Sequence, residues 1–291
     1  DFTAKCLIDE GDTVLVEAPT FLNALNTFRT YGARLAGVPM DEEGMDMDAL
    51  EQALQKEPRV KFIYTIPNFQ NPMGVTMSAA RRSQLYTLAE QYDVMILEDD
   101  PYGKLRYSGE PVAAVKTLDQ GKRVIYTSSF SKIIAPGIRV AYLCAPKELM
   151  AKMVVAKQCV DVHTNMISQL LVYDYLTHYD LEEHVRVCCE HYRKKRDAML
   201  AAVERTFPVE VSVTQPEGGL FLWATLPEGY SGMEFYQRVV EAGVAPVPGA
   251  PFFADNMPDD RGMRLNFSVP SIQQIEEGIA RMGEELRTFI Q

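Results

Sequence analysis

Between Thr13 and about Ala145, short apolar runs alternate with amphipathic segments, and this alternation is the strongest restriction on the fold. Val14–Val16, Arg34–Val38, Val60–Ile66, Val94–Leu97, Arg123–Tyr126 and Val140–Ala145 read as strands. Each is short and bounded by polar residues or turn formers, as buried strands are. The segments between them carry the helical period. Phe21 to Tyr31 places Leu22, Leu25 and Phe28 on one face. Asp48 to Lys56 has Asp46 or Asp48 to accept the first free N–H groups, and Ser78 to Tyr92 begins on a hydroxyl cap. Strands alternating with helices predict an α/β fold: a mostly parallel sheet with helices on both faces.

After Pro146 the style changes. Pro146 to His178 reads as mainly helical with a break near Thr164-Asn165, and Leu181 to Phe207 as one long amphipathic helix. Val209–Val213, Gly219–Ala224, Val244–Val247 and Met263–Phe267 read as strands, with helices over Met233–Ala242 and Ile272–Phe289. The expected division is a large α/β domain over 1–155, then an interdomain helix and a smaller α+β domain over 156–291. Asp1 to Ile8 reads as the end of a helix stopped by Gly11, so the chain is expected to lack an N-terminal portion.

Composition removes several classes of function. The 291 residues are 47% hydrophobic, enough for a large core. The net charge of -11 argues against nucleic-acid binding, which needs clustered cations. The dense basic run Arg193–Arg196 lies in a helical pattern with acids nearby, as a solvated helix face does. The five cysteines form no CxxC pair, which fits a reducing compartment and a cytoplasmic location. No apolar run reaches membrane-spanning length, and no signal peptide is visible. His184 and His191 share a helix face, but no third ligand stands at metal spacing, so no metal is expected.

Ligands of open α/β sheets collect at the carboxyl ends of the strands. Three polar clusters fall there: Pro67–Gly74, Glu98–Tyr102 and Ser128–Lys132. The last continues through Pro136-Gly137 to Arg139, giving hydroxyls and two cations in one loop between two strands. An amine beside an anion clamp is what a Schiff-base cofactor requires.

Taken in order, Gln70-Asn-Pro-Met-Gly74, Asp99-x-x-Tyr102, Ser129-x-Ser-Lys132 with Arg139, Gly218-Gly-Leu-Phe-Leu-Trp223 and Arg264 resemble the pyridoxal-phosphate-dependent class I/II aminotransferases of fold type I. Phe69–Pro72 and Glu98–Tyr102 point to the branch with 2-aminoadipate and aromatic aminotransferases. The resemblance spans essentially the whole chain. It implies a seven-stranded-type sheet, pyridoxal 5'-phosphate as cofactor, amino-acid and 2-oxo-acid substrates, and a homodimer.

The same resemblance implies roles. Lys132 would form the internal aldimine and then shuttle a proton between Cα and C4′. Asp99 would keep the pyridine nitrogen protonated; Glu98 and Asp100 point the other way if the strand alternates. Tyr102 and Asn71 would hydrogen-bond the phenolic oxygen, and Phe21 would stack on the ring. Ser129, Ser131 and Arg139 would hold the phosphate. Arg264 would take the substrate α-carboxylate, with Asn71 beside it. The family's Gly-Ser-Gln-Gln-type phosphate loop would fall just before Asp1, so a chain starting there is expected to bind cofactor poorly. The activity implied is transfer of the amino group of an aromatic, 2-aminoadipate-like or branched-chain amino acid to an acceptor such as 2-oxoglutarate. Two other readings stay open: a cofactor-binding effector domain of a bacterial transcription regulator, and a lyase using the same Lys132 chemistry.

Overall fold

The structure, a computed structural model, describes residues 1–120, 122–254, 259 and 261–291. In chain order its first part comprises α1 (Phe2–Leu7), β1 (Thr13–Ala18), α2 (Leu22–Thr30), β2 (Arg34–Asp41), β3 (Gly44–Met45), α3 (Met47–Lys56), β4 (Val60–Thr65), α4 (Ala79–Gln91), β5 (Met95–Asp99), β6 (Val124–Ser129) and β7 (Ala141–Cys144). These strands form one seven-stranded sheet in the order β3-β2-β1-β4-β5-β6-β7. β2, β1, β4, β5 and β6 run parallel. The edge strands β3 and β7 are antiparallel to their neighbours.

The sheet is covered on both faces, which is why its strands read as continuous apolar runs. Alternate residues enter two different cores. Val14, Val16, Phe62, Tyr64, Leu97 and Ile125 pack on one side. Leu15, Ile63, Ile96 and Val124 pack on the other. The caps work as side-chain acceptors. Asp46 takes the Ala49 N–H at 2.8 Å, which decides between the two aspartates expected at the start of α3. Ser78 takes the Arg81 N–H at 3.3 Å.

The second part comprises α5 (Lys147–Val160), α6 (Met166–His178), α7 (Leu181–Thr206), β8 (Ser212–Val213), β9 (Phe221–Thr225), α8 (Gly232–Glu241), β10 (Val247–Pro248), β11 (Gly262–Asn266) and α9 (Ile272–Phe289). Asn165 caps α6 by accepting the Ser168 N–H, so the helical stretch breaks where Thr164-Asn165 suggested. The four strands form an antiparallel sheet in the order β10-β11-β9-β8. Leu222, Ala224, Met263 and Leu265 pack against Phe235, Ile275 and Met282 of α8 and α9. Phe221, on the opposite face of β9, joins the core of the large sheet. The expected division at 155/156 falls inside α5.

Two expected strands differ in detail, and one strand, β3, was not expected. β3 has two residues, too few for a periodic signal. Val209 is 94% exposed, and only Ser212–Val213 of the run Val209–Val213 pairs, because Val211 N–H turns back to the Pro208 carbonyl. Val244 closes α8 through its N–H to the Val239 carbonyl, which moves the strand start to Val247.

Candidate active site

β4, β5 and β6 are neighbours and parallel, so the loops that follow them open on one edge of the sheet. Asp99 is the last residue of β5. Strand alternation separates the three adjacent acids. Asp99 accepts the Tyr64 hydroxyl at 2.8 Å. Glu98 lies on the opposite face and accepts the Val115 and Lys116 N–H groups at 2.8 Å each. Asp100 is tied to Asn68 at 2.9 Å, Tyr126 at 2.9 Å and the Gly103 N–H at 3.0 Å. Burial raises Asp99 to about 6, although the Tyr64 bond pulls the other way. With Phe21, Tyr64, Thr127 and Arg139, Asp99 lines a cavity of about 530 Å³. Phe21 stands at the N-cap position of α2, half-buried.

Tyr102 is buried, with its ring edge-on to Phe221 at 5.8 Å. Burial and the neighbouring Asp99 raise its pKa; Arg264 and a hydrogen bond with Asn71 oppose them. Asn71 is itself buried and accepts from Nη1 of Arg264 at 2.9 Å. The Arg264 guanidinium lies 4.4 Å from the Phe221 ring centroid and 5.2 Å from that of Phe252. Its Nε is buried without a hydrogen-bond partner among the described residues. Such a donor carries a cost until an acceptor arrives.

Lys132 is half-buried in the loop between β6 and β7. Burial, then Arg139, then Arg264 lower its pKa. A half-buried amine near two guanidiniums favours its neutral, nucleophilic form. Arg139, exposed and in the left-handed backbone region, donates to Ser131 Oγ at 3.3 Å and to the Pro136 carbonyl at 3.0 Å. Ser131 N–H donates to Ser129 Oγ at 2.9 Å. Ser129 lines a second cavity, of about 400 Å³, with Asp100, Tyr126 and Ser128, and not the cavity bounded by Asp99. The structure thus draws Lys132, Arg139, Arg264, Asn71, Tyr102, Asp99 and Phe21 around one edge. The two serines act within the loop itself.

Tyr64 and Tyr107 were not singled out from the sequence, and Phe69 and Gly218-Gly219 were quoted there as motif residues without a structural role. Tyr64 looked like ordinary strand core. Phe69 and the Gly218-Gly219 pair lock the loop after β4 onto the start of β9. A Cβ on Gly219 would sit 2.5 Å from Phe69 Cβ, and one on Gly218 2.2 Å from the Leu105 carbonyl. Tyr107 donates to the Gly219 carbonyl across the same seam.

The sequence pattern described as "Aminotransferase class I and II" matches residues 1–282. This chain belongs to that family. The aminotransferase is 46% identical over 291 residues to "Aromatic-amino-acid aminotransferase 1" of Thermococcus litoralis, covering 99% of this chain and 70% of that protein. It is 41% identical over 296 residues to the "2-aminoadipate transaminase" of Thermus thermophilus, covering 100% of this chain and 73% of that protein. It superposes on the crystal structure of Pyrococcus horikoshii kynurenine aminotransferase with a TM-score of 0.97 and 41% identity, over 100% of this chain and 72% of that one. That crystal structure contains PMP with kynurenine as substrate. In this aminotransferase Lys132, Asp99 and Arg264 lie where the three loops and β11 meet.

Proposed function

We propose that this aminotransferase moves the amino group of an aromatic, 2-aminoadipate-like or branched-chain α-amino acid to a 2-oxo acid such as 2-oxoglutarate, using pyridoxal 5'-phosphate held on Lys132. The observation that carries the reading is Lys132 itself: an amine with lowered proton affinity, within electrostatic reach of Arg139 and Arg264. The donor set suits the cofactor, because an amine, an acid of raised pKa, a buried phenol and a guanidinium face one edge. The relatives named above, transaminases at 46% and 41% identity, favour an enzyme over a regulator's effector domain or a lyase.

Pyridoxal phosphate, when bound, supplies the electron sink for a negative charge at Cα. The protein's own groups do the rest. Asp99 is the residue to keep a proton on the pyridine nitrogen. Tyr102 and Asn71 are the donors to the phenolic oxygen, and Phe21 borders the ring's cavity. Arg139 is the phosphate cation, with Ser131 and Ser129 shaping its loop. Arg264, with Asn71, takes the substrate carboxylate, and its unpartnered Nε suits a planar anion. Lys132 moves the proton between Cα and C4′.

The assembly we propose is a homodimer in the cytoplasm. In support, α6 leaves Ile167 70% and Leu170 57% exposed and buries only Val172, although an all-round apolar helix is normally covered. Among the described residues no helix is long and apolar enough to cross a membrane.

Reduction with borohydride followed by peptide mapping tests the reading. A pyridoxyl label on Lys132 is expected. A label elsewhere, or none in the full-length protein, overturns it.

A further inference from the structure

Glu17 is a carboxylate that the proposed chemistry does not use. It lies in β1 with 1% of its surface exposed. Its oxygens accept the Thr65 hydroxyl at 2.5 Å, the Ile66 N–H at 3.2 Å and Gln70 Nε2 at 2.9 Å. No cation pairs with it among the described residues. An uncompensated buried carboxylate costs several kcal/mol, and apolar replacements of buried ionic groups often serve stability as well. Burial pushes it to about 7 against those three donors. The partners are all donors, the set an ionised carboxylate accepts.

What the carboxylate holds explains its presence. Gln70 Nε2 also donates to the Pro19 carbonyl at 2.8 Å, and Gln70 Oε1 accepts the Met73 N–H at 2.9 Å. Gln70 N–H donates to the Val75 carbonyl at 2.8 Å. The amide therefore fastens both ends of the turn carrying Asn71 to the end of β1. Asn71 then reaches Arg264 at 2.9 Å and hydrogen-bonds Tyr102.

We propose that Glu17 is a positioning residue whose buried carboxylate orients Gln70 and, through Gln70, sets Asn71 against Tyr102 and Arg264. The inference rests on the proposed function, since it assigns Asn71 to the phenolic oxygen and the substrate carboxylate. The titratable groups facing Glu17 among the described residues are Asp99 from β5 and Tyr64 from β4.

The sign of one measurement separates positioning from bare charge. The readout is the pH midpoint of the bound cofactor's absorbance change in full-length protein loaded with pyridoxal phosphate. Removing Asn71's donation to the phenolic oxygen destabilises the anionic, deprotonated form and moves the midpoint up. Removing a distant negative charge alone moves it down. Glu17→Gln is expected to move the midpoint up, as Asn71→Ala does. The double variant should show no more shift than Asn71→Ala. KM for both substrates should rise about tenfold, the effect of one hydrogen bond. Gln70→Ala keeps the charge, cuts the link and should behave alike; it decides the matter if Glu17→Gln does not fold. A midpoint that stays or falls in these variants, or a shift that adds to that of Asn71→Ala, overturns the inference. A wild-type protein with no bound-cofactor band instead overturns the proposed function.

Discussion

Nη1 of Arg264 meets Oδ1 of Asn71 at 2.9 Å across 193 residues of sequence, joining β11 to the loop after β4. The guanidinium lies near the rings of Phe221 and Phe252, and its Nε–H has no hydrogen-bond acceptor among the described residues. One arginine is thus oriented by an amide, contacted by two rings, and left with capacity for an anion.

That geometry makes Arg264→Lys non-conservative. Lysine offers a point charge and no planar fork. Loss of a charge-assisted hydrogen bond, about 1.5–3 kcal/mol, corresponds to a rise of about 10- to 150-fold in KM for both amino and oxo acid. Steady-state kinetics measure it. Cofactor absorbance should remain, and an unchanged KM would place the carboxylate elsewhere.

Arg139→Leu should raise the pH at which Lys132 captures the cofactor. The Arg139 guanidinium is one cause of the lowered lysine pKa, so its removal stabilises the protonated amine. The exposed position of Arg139 lets solvent screen the pair, which keeps the shift below about one unit. The pH dependence of the pyridoxal phosphate capture rate reports it.

Glu98 offers a stability test outside the site. Burial raises its pKa from an ordinary 4.5 to about 7. In the unfolded chain it ionises first, so its contribution is full below about 4.5 and is lost as pH climbs through 7. Glu98→Gln cannot titrate. The stability of that variant relative to wild type should therefore improve between pH 4.5 and 8 by on the order of 2–3 kcal/mol. Urea midpoints at the two pH values give the difference; a constant offset would mean Glu98 titrates normally.

Gly219→Ala should weaken the seam between the two sheets. Its φ of +72° disfavours a side chain, and the new Cβ would meet Phe69 Cβ at 2.5 Å. Backbone strain and overpacking together should cost about 3 kcal/mol or more. Urea denaturation measures this, with a parallel fall in kcat/KM because Phe69 precedes the Asn71 turn.

The alternation from Thr13 to Ala145 was legible because a sheet covered on both faces needs apolar strands, and each strand end advertised its loop. Asp99 was preferred among three acids through the family resemblance, which sets the acid three residues before Tyr102, and local strand alternation separated it from Glu98 and Asp100. Tyr64 could not be chosen, since its contact with Asp99 depends on β4 and β5 becoming neighbours. Glu17 was hidden for the same reason: one acid in an apolar run carries no mark of the donors that reach it from another strand. Ser129 shows the converse. Its motif is plain, yet the end of β6 turns it toward a different cavity.

The origin of Arg264 in the last part of the chain also gives the active amine a history. β11 is held by β9 and β10, near the C-terminal end of the sequence. Before that sheet closes, Lys132 lacks one of the two guanidiniums that depress its proton affinity. Without Arg264 the lysine would hold its proton more tightly, although burial and Arg139 are the two larger causes of its lowered pKa. Residues 132 and 264 lie far apart in the sequence, so the amine's full shift needs distant parts of the chain to come together.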